Sequence, residues 1–369
     1  MWTPPVVPAK PITVYAKWSD SDTGDKYAED REKALKQLEL ALGRMDPEDY
    51  TDTNWQRVLT EYENGRYAIS IAAPNPASDS VGDINKAVQD TIYAALNDAI
   101  SRMNSIPMKR IKKANIVVSL DAQTLGLGYL IKPTCVTVDE STQASKVITD
   151  LIKQAVKARF GEDLEGHQEY HAGEPTEKYA YIHTGTIEDS FYLAEVYWPE
   201  QGEATVAEYI TDKSGPIPAS KYATDRAGNY LGEFDYYSMS GWMYSVAETG
   251  KNEDGTFSEL SAPSFPGVGA AQWRMRDGEI MRWQFTVYGY GADLNADNSA
   301  WGQDSITGNS GDKTELTYEI AMMREAYKNS STEKSYEAGD DKLETSRIYT
   351  STSASSAAPP KARIPKTRR

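Results

Sequence analysis

All three histidines of the chain, His167, His171 and His183, fall within seventeen residues. The first two stand four apart, the spacing that puts two imidazoles on one helix face where they can hold a metal. Their context, "GEDLEGHQEYHAGEP", is bracketed by glycines and has Gln168 after His167, where a zincin helix would carry its glutamate. A solvated loop is the plain reading and a metal-dependent hydrolase the sharp one. Further along, "DLNADNSAWGQD" sets Asp293, Asn295, Asp297 and Asp304 at positions 1, 3, 5 and 12 of a calcium-loop spacing. Asn298 stands where that loop needs glycine, and Trp301 occupies position 9, so an Asp/Asn turn is the competing assignment. The aromatic residues offer a third chemistry. In "SMSGWMYSV", alternation sends Trp242 and Tyr244 to one face of a strand and Met243 to the other. With Trp273 and Trp283 on nearby segments they form either ordinary core or a flat stacking platform for a planar ligand or sugar ring.

No Gly-x-Ser-x-Gly elbow, phosphate-cradling loop or dinucleotide fingerprint occurs, and 55 carboxylates spread along the chain single out no acid/base pair. The expectation is therefore a protein that is not an enzyme, with no catalytic residue, no metal ligand and no cofactor. The net charge of −16 repels nucleic acid and anionic membrane surfaces. Apolar runs fall far short of the eighteen or so residues that span a bilayer, so no transmembrane segment is expected. Cys135 is the single cysteine, which excludes an intrachain disulfide framework and a cysteine-based zinc site. The opening "MWTPPVVPAK" lacks the pattern of a secretory signal, so the chain is either cytosolic or preceded by a signal upstream.

The elements that must position these residues follow from periodicity. The length of 369 residues suggests two or three domains. Residues 1–25 read as a lone strand and linker. Residues 26–112 carry three amphipathic stripes: Ala34, Leu35 and Leu38 in the first, Trp55, Val58 and Tyr62 in the second, Ile84, Val88, Ile92 and Leu96 in the third. Three such helices bury their stripes against one another, a three-helix spacer module. Residues 113–302 open with a β-hairpin around "LGLG". A helix with Val147, Ile148, Leu151 and Ile152 on one face follows, capped by Ser141 or Thr142. Closing strands are expected at 191–198, 241–246 and 278–291, and the polar stretch 158–190 as an insertion or lid. The fold class is α+β, multidomain, with a β-grasp-like domain after the helices. Residues 303–345 hold a last helix with Leu316, Ile320, Met323 and Tyr327 on its apolar face. Residues 346–369 have a composition that builds no core. They include "RIPKT", which resembles a sortase sorting signal with Arg368 in place of glycine.

Three stretches together, "GYLIKPTCVTVDESTQASKVI", "LGEFDYYSMSGWMYSV" and "FPGVGAAQWRMRDGEIMRWQFTVYGYGADL", resemble the transcobalamin-like C-terminal domain of bacterial surface proteins over residues 114–302. "AETGKNEDGTFSEL" stands where that family usually has Asn-Gly, and the 158–190 insertion is long. Tyr15, Ala16 and Trp18 resemble the end of an internalin-type β-repeat, and residues 50–106 resemble the small helical repeats of Gram-positive surface proteins. The resemblance implies a secreted, non-enzymatic protein of the cell surface or cell wall. Its β-grasp domain would bind a small soluble ligand, cobalamin among the candidates, or a host or wall component, through Trp242, Tyr244, Trp273 and Trp283. A purely architectural adhesin or spacer is the alternative, and the histidine-based hydrolase a third.

Overall fold

The computed structural model of the chain describes residues 25–168, 177–200, 204–214, 229–237, 239–251, 257–296, 305–306 and 312–328. The strand expected within residues 1–24, His171, Asp297, Asp304 and the tail with "RIPKT" lie outside them. The described residues are α+β, with two mixed sheets.

The described residues open with α1 (Ala28–Gly43) and α2 (Asp52–Ile71), followed by α3 (Val81–Val88) and α4 (Ala94–Asn104). Thr51 and Ser80 cap α2 and α3 by accepting from the backbone N–H groups of Asn54 and Asp83. A π-helical turn at Gln89–Tyr93 joins α3 to α4 as one continuous helix. The added residue in that turn carries Tyr93 into the buried set beside Ile92 and Leu96. Where α2 crosses α4, a Cβ on Gly65 would lie 2.4 Å from the Ala99 Cβ and 3.2 Å from Leu38 Cδ2. Gly65→Ala is expected to cost about 1–3 kcal/mol in overpacking, offset in part by about 1 kcal/mol of helix propensity. Urea denaturation reads the balance, and a stabilised variant would show that the helices separate freely at this crossing.

The five-stranded sheet grows from the β1 (Lys113–Asp121) and β2 (Tyr129–Asp139) hairpin, which α5 (Ala144–Phe160) follows. Three strands close it: β7 (Gly241–Lys251), β8 (Phe257–Leu260) and β9 (Glu279–Thr286). The order is β2-β1-β9-β7-β8, with β9 parallel to β1 and antiparallel to β7. Every residue of β9 is buried, as a central strand covered on both faces must be. One face carries Trp242, Tyr244 and Val246 of β7 with Met281, Trp283 and Phe285 of β9, and it joins the main core that α1 to α5 share. On the other, Val117, Ala247 and Ile280 meet Ala321 of α7 (Thr314–Lys328).

A second sheet was not expected. β3 (Gly166–Gln168), β4 (Tyr181–Thr184), β5 (Tyr192–Tyr197) and β6 (Tyr230–Gly232) pair in that order, and the short α6 (Glu208–Ser214) lies between β5 and β6. The strand expected at 191–198 therefore does not close the first sheet, because its edges are taken by β4 and β6. Part of the expected insertion, 158–190, is strand and contributes Ala180, Tyr181 and Ile182 to the core. Two finer expectations also change. No side chain caps α5; the first two N–H groups, of Ala144 and Ser145, donate to the carbonyls of Trp273 and Ala270 at 2.8 and 3.1 Å. On α7, Leu316 is 53 % exposed, and the buried face is Thr314, Thr317 and Ala321, because the sheet beneath is close and accepts small residues.

Candidate functional site

A cleft of about 530 Å³ opens where the first turn of β7 meets the π turn of the helical layer and the loop between β8 and β9. Its volume falls in the range that holds a small molecule. Tyr93 and Asn97 line it from the helices, Phe191 from the entry to β5, Trp242 and Tyr244 from β7, and Glu233 from the turn after β6.

Of the four aromatic residues expected to bind a ligand, the sheet register brings Tyr244 directly opposite Trp283 and Trp242 opposite Phe285. Tyr244 stacks on Trp283 with ring centroids 5.2 Å apart and meets Trp273 edge-on at 6.4 Å. Trp242 lies 5.2 Å from Phe285 and 6.4 Å from Trp198, and its Nε1 donates to the carbonyl of Leu231 at 3.0 Å. Trp242, Trp273 and Trp283 are all buried. The rings thus form an interior stack rather than an open platform, and Trp242, Tyr244 and Trp283 show the cleft only part of their surface. Tyr244 donates its hydroxyl to the carbonyl of Val268 at 2.6 Å, and burial pushes its phenol well above the usual range. That bond pins the β8–β9 loop over the stack. Trp273 lies elsewhere, against a smaller cavity of about 100 Å³ between the helices and the sheet.

Sequence reasoning missed Tyr93, Asn97, Glu233 and Gln272. Gln272 is 4 % exposed; its Nε2 donates to Ser101 Oγ and Asp189 Oδ1, both at 3.0 Å, while its Oε1 has no partner. Asn97 Oδ1 is likewise buried without a partner. The sequence held one signal, the pair Gly267 and Gly269 just before Gln272 in "PGVGAAQW". A Cβ on Gly269 would stand 2.7 Å from Gln272 Oε1, so glycine lets the loop pack this closely on the amide.

Of the three histidines, His167 and His183 are among the described residues. Pairing of β3 with β4 sets His183 beside Gln168, not beside His167. His167 stacks on Tyr179 at 4.1 Å, whereas His183 is buried between Tyr181 and Phe191, and burial lowers its pKa. A solvated loop was the plain expectation for both; His183 is instead a strand residue in the interior. Of the pair spaced for one helix face, His167 lies in a strand, and His171 is outside the described residues. Among the described residues no three His, Cys, Asp or Glu side chains come together as a metal site.

Asp293, first in the calcium-loop spacing, is 1 % exposed and turned inward. It accepts from Thr286 Oγ1 at 2.5 Å and from the N–H groups of Val287 and Tyr288 at 2.7 and 3.2 Å. The carboxylate closes the exit turn of β9, which is the Asp/Asn-turn reading. Asn295, third in the spacing, accepts from Ser305 Oγ at 2.8 Å. No helix in the structure is long and apolar enough to cross a membrane among the described residues. No protein-family model matches the chain, and no curated protein matches it.

Proposed function

We propose that the chain is a non-enzymatic ligand-binding protein of the Gram-positive cell surface, with a β-grasp-like domain of the transcobalamin-like C-terminal kind. What supports the fold reading is the hairpin β1–β2, a helix directly after it, and a last strand returning parallel to β1 at the sheet centre. What supports the functional reading above all is the cleft, of a size that holds a small molecule and walled largely by aromatic and apolar side chains. In this reading the helices, a three-helix module, also supply Tyr93 and Asn97 as one wall of the site. A domain that served only as a spacer or adhesive surface has no use for such a cleft.

Titration of the full chain with cobinamide and cobalamin, followed by tryptophan quenching, tests this reading. Asn97→Trp, which fills the cleft from a half-buried helix position, is expected to weaken any such binding by more than about tenfold, a loss of about 1.4 kcal/mol. Binding indifferent to Asn97→Trp would place the ligand elsewhere. Absence of binding by either corrinoid would remove the corrinoids as ligands.

A further inference from the structure

We infer that the cleft receives an extended peptide segment of a partner protein, added to the sheet as an antiparallel strand along the open edge of β7; the inference rests on the reading of the cleft as a binding site. β7 pairs with β9 from Gly241 to Glu248. On its other edge β8 pairs with it at Thr249 and Lys251, and Val246 and Ser264 exchange two N–H to carbonyl bonds, each of 2.8 Å. Successive residues of a strand point their backbone groups to opposite edges, so those of Tyr244 and Trp242 point to the same edge as those of Val246. Among the described residues neither has a hydrogen-bond partner on that edge. The sequence explains why the ladder stops. The antiparallel register that pairs Val246 with Ser264 would next set Pro266 opposite Tyr244, and proline has no N–H to donate to the Tyr244 carbonyl.

The cleft opens where that pairing ends. Residues 241–244 of β7 and 265–270 of the β8–β9 loop line it, both in unbroken succession. Side chains of a strand alternate between faces, so a cleft that touches four residues in a row runs along the strand's edge rather than across one face. The rings of Tyr244 and Trp242 are already stacked on Trp283 and packed edge-on to Phe285, so what this wall offers a ligand is its main chain. A peptide strand brings N–H and C=O groups at the matching spacing; the backbone pairing supplies affinity and alternate side chains supply specificity. It would occupy the line in the sheet that Ser264 begins, in the same antiparallel register. On the face that Trp242 and Tyr244 share, its side chains would meet Tyr93 and Phe191, so every second residue of the segment is apolar.

Residue-by-residue hydrogen exchange of the full chain, with and without acetyl-Thr-Val-Thr-Val-Thr-Val-Thr-amide, tests the assignment. In the free chain the Tyr244 amide should exchange at least about tenfold faster than those of Met243 and Ser245, which face β9, and the peptide should slow it to their level. An antiparallel strand with its valines toward Tyr93 turns the valine N–H groups to β7. Methylation of the valine nitrogens should therefore weaken binding by at least about tenfold, and methylation of the threonine nitrogens should leave it unchanged. Asn97→Trp should abolish the protection. A Tyr244 amide as slow as its neighbours in the free chain, equal effects of the two methylations, or no protection by the peptide each overturns the strand assignment, and corrinoid quenching then decides the reading of the cleft by itself. Protection that survives Asn97→Trp overturns the placement of the segment in the cleft.

Discussion

Replacing Arg44 by methionine is expected to lower the free energy of unfolding by about 3–5 kcal/mol, the usual consequence of leaving a buried charge without its partner. Arg44 is the C-cap of α1 and reaches across to the sheet, where its Nη1 meets Glu279 Oε1 at 2.7 Å. The carboxylate side chain is fully buried and the guanidinium 11 % exposed. The guanidinium lies 3.7 Å from the ring centroid of Trp273, and its Nη2 donates to the carbonyl of Arg274 at 2.6 Å. Glu279 also accepts from the Arg276 N–H at 2.9 Å, so the pair ties α1, the β8–β9 loop and β9 into one unit. Burial already raises the carboxyl pKa, and Arg44 is the strongest influence opposing that rise. Without Arg44 the folded-state pKa moves further above the unfolded one. The loss should therefore be smallest in acid, where Glu279 is protonated in both states, and grow as pH rises through the folded pKa. Arg44→Met/Glu279→Gln should recover at least about half of the loss, because the amide oxygen still accepts from Arg276. Chemical denaturation at several pH values measures all three chains. An Arg44→Met loss below about 1 kcal/mol, the level of an exposed pair, would mean that water reaches the carboxylate and that the helices do not seal this side of the sheet.

The first sheet and the helices were legible because each carries a long apolar pattern. In α5, Val147, Ile148 and Ile152 recur at helical spacing and are all buried. In β7, Trp242 and Tyr244 alternate with Met243 as strand residues do. The second sheet was not legible because β3 and β6 are three residues each and β4 is four, too short for a period of two to show. Its strands are also fixed by partners far away in sequence, as when Val196 of β5 meets Leu231 of β6. The site was half visible. The aromatic residues announced themselves by type, but whether a ring faces solvent depends on what covers it, and nothing near Trp242 in sequence says that Trp198 stacks on it. Gln272 was out of reach for the opposite reason. Its chemistry consists of a bond not made, and only the positions of Ser101 and Asp189 reveal which amide atom is left over.

Asp293 provides the second large effect, and its sign is opposite to that of an exposed, salt-bridged carboxylate. Three hydrogen bonds favour its charged form, from Thr286 Oγ1 and the N–H groups of Val287 and Tyr288. Burial outweighs them and pushes its pKa from 3.8 up to about 6. The folded chain thus binds this proton more tightly than the unfolded chain does. The stabilisation is full below about pH 4 and is lost as pH rises through about 6, a change of about 3 kcal/mol for a shift of this size. Asp293→Asn removes the titration while keeping the geometry. The amide oxygen accepts from Val287 and Tyr288, and the amide nitrogen donates to Thr286 Oγ1, whose hydroxyl then turns to the carbonyl of Tyr288, 3.3 Å away. The difference in unfolding free energy between the two chains should move toward the variant by about 3 kcal/mol as pH rises from about 4 to about 7. Parallel stability curves over that range would show that the hydrogen bonds outweigh burial and that the carboxylate is already ionised in the folded chain at pH 4. The exit turn of β9 abuts the cleft through Tyr290 and Ala296. A ligand that raised the Asp293 pKa further by tightening the turn would bind more weakly as pH rises through about 6.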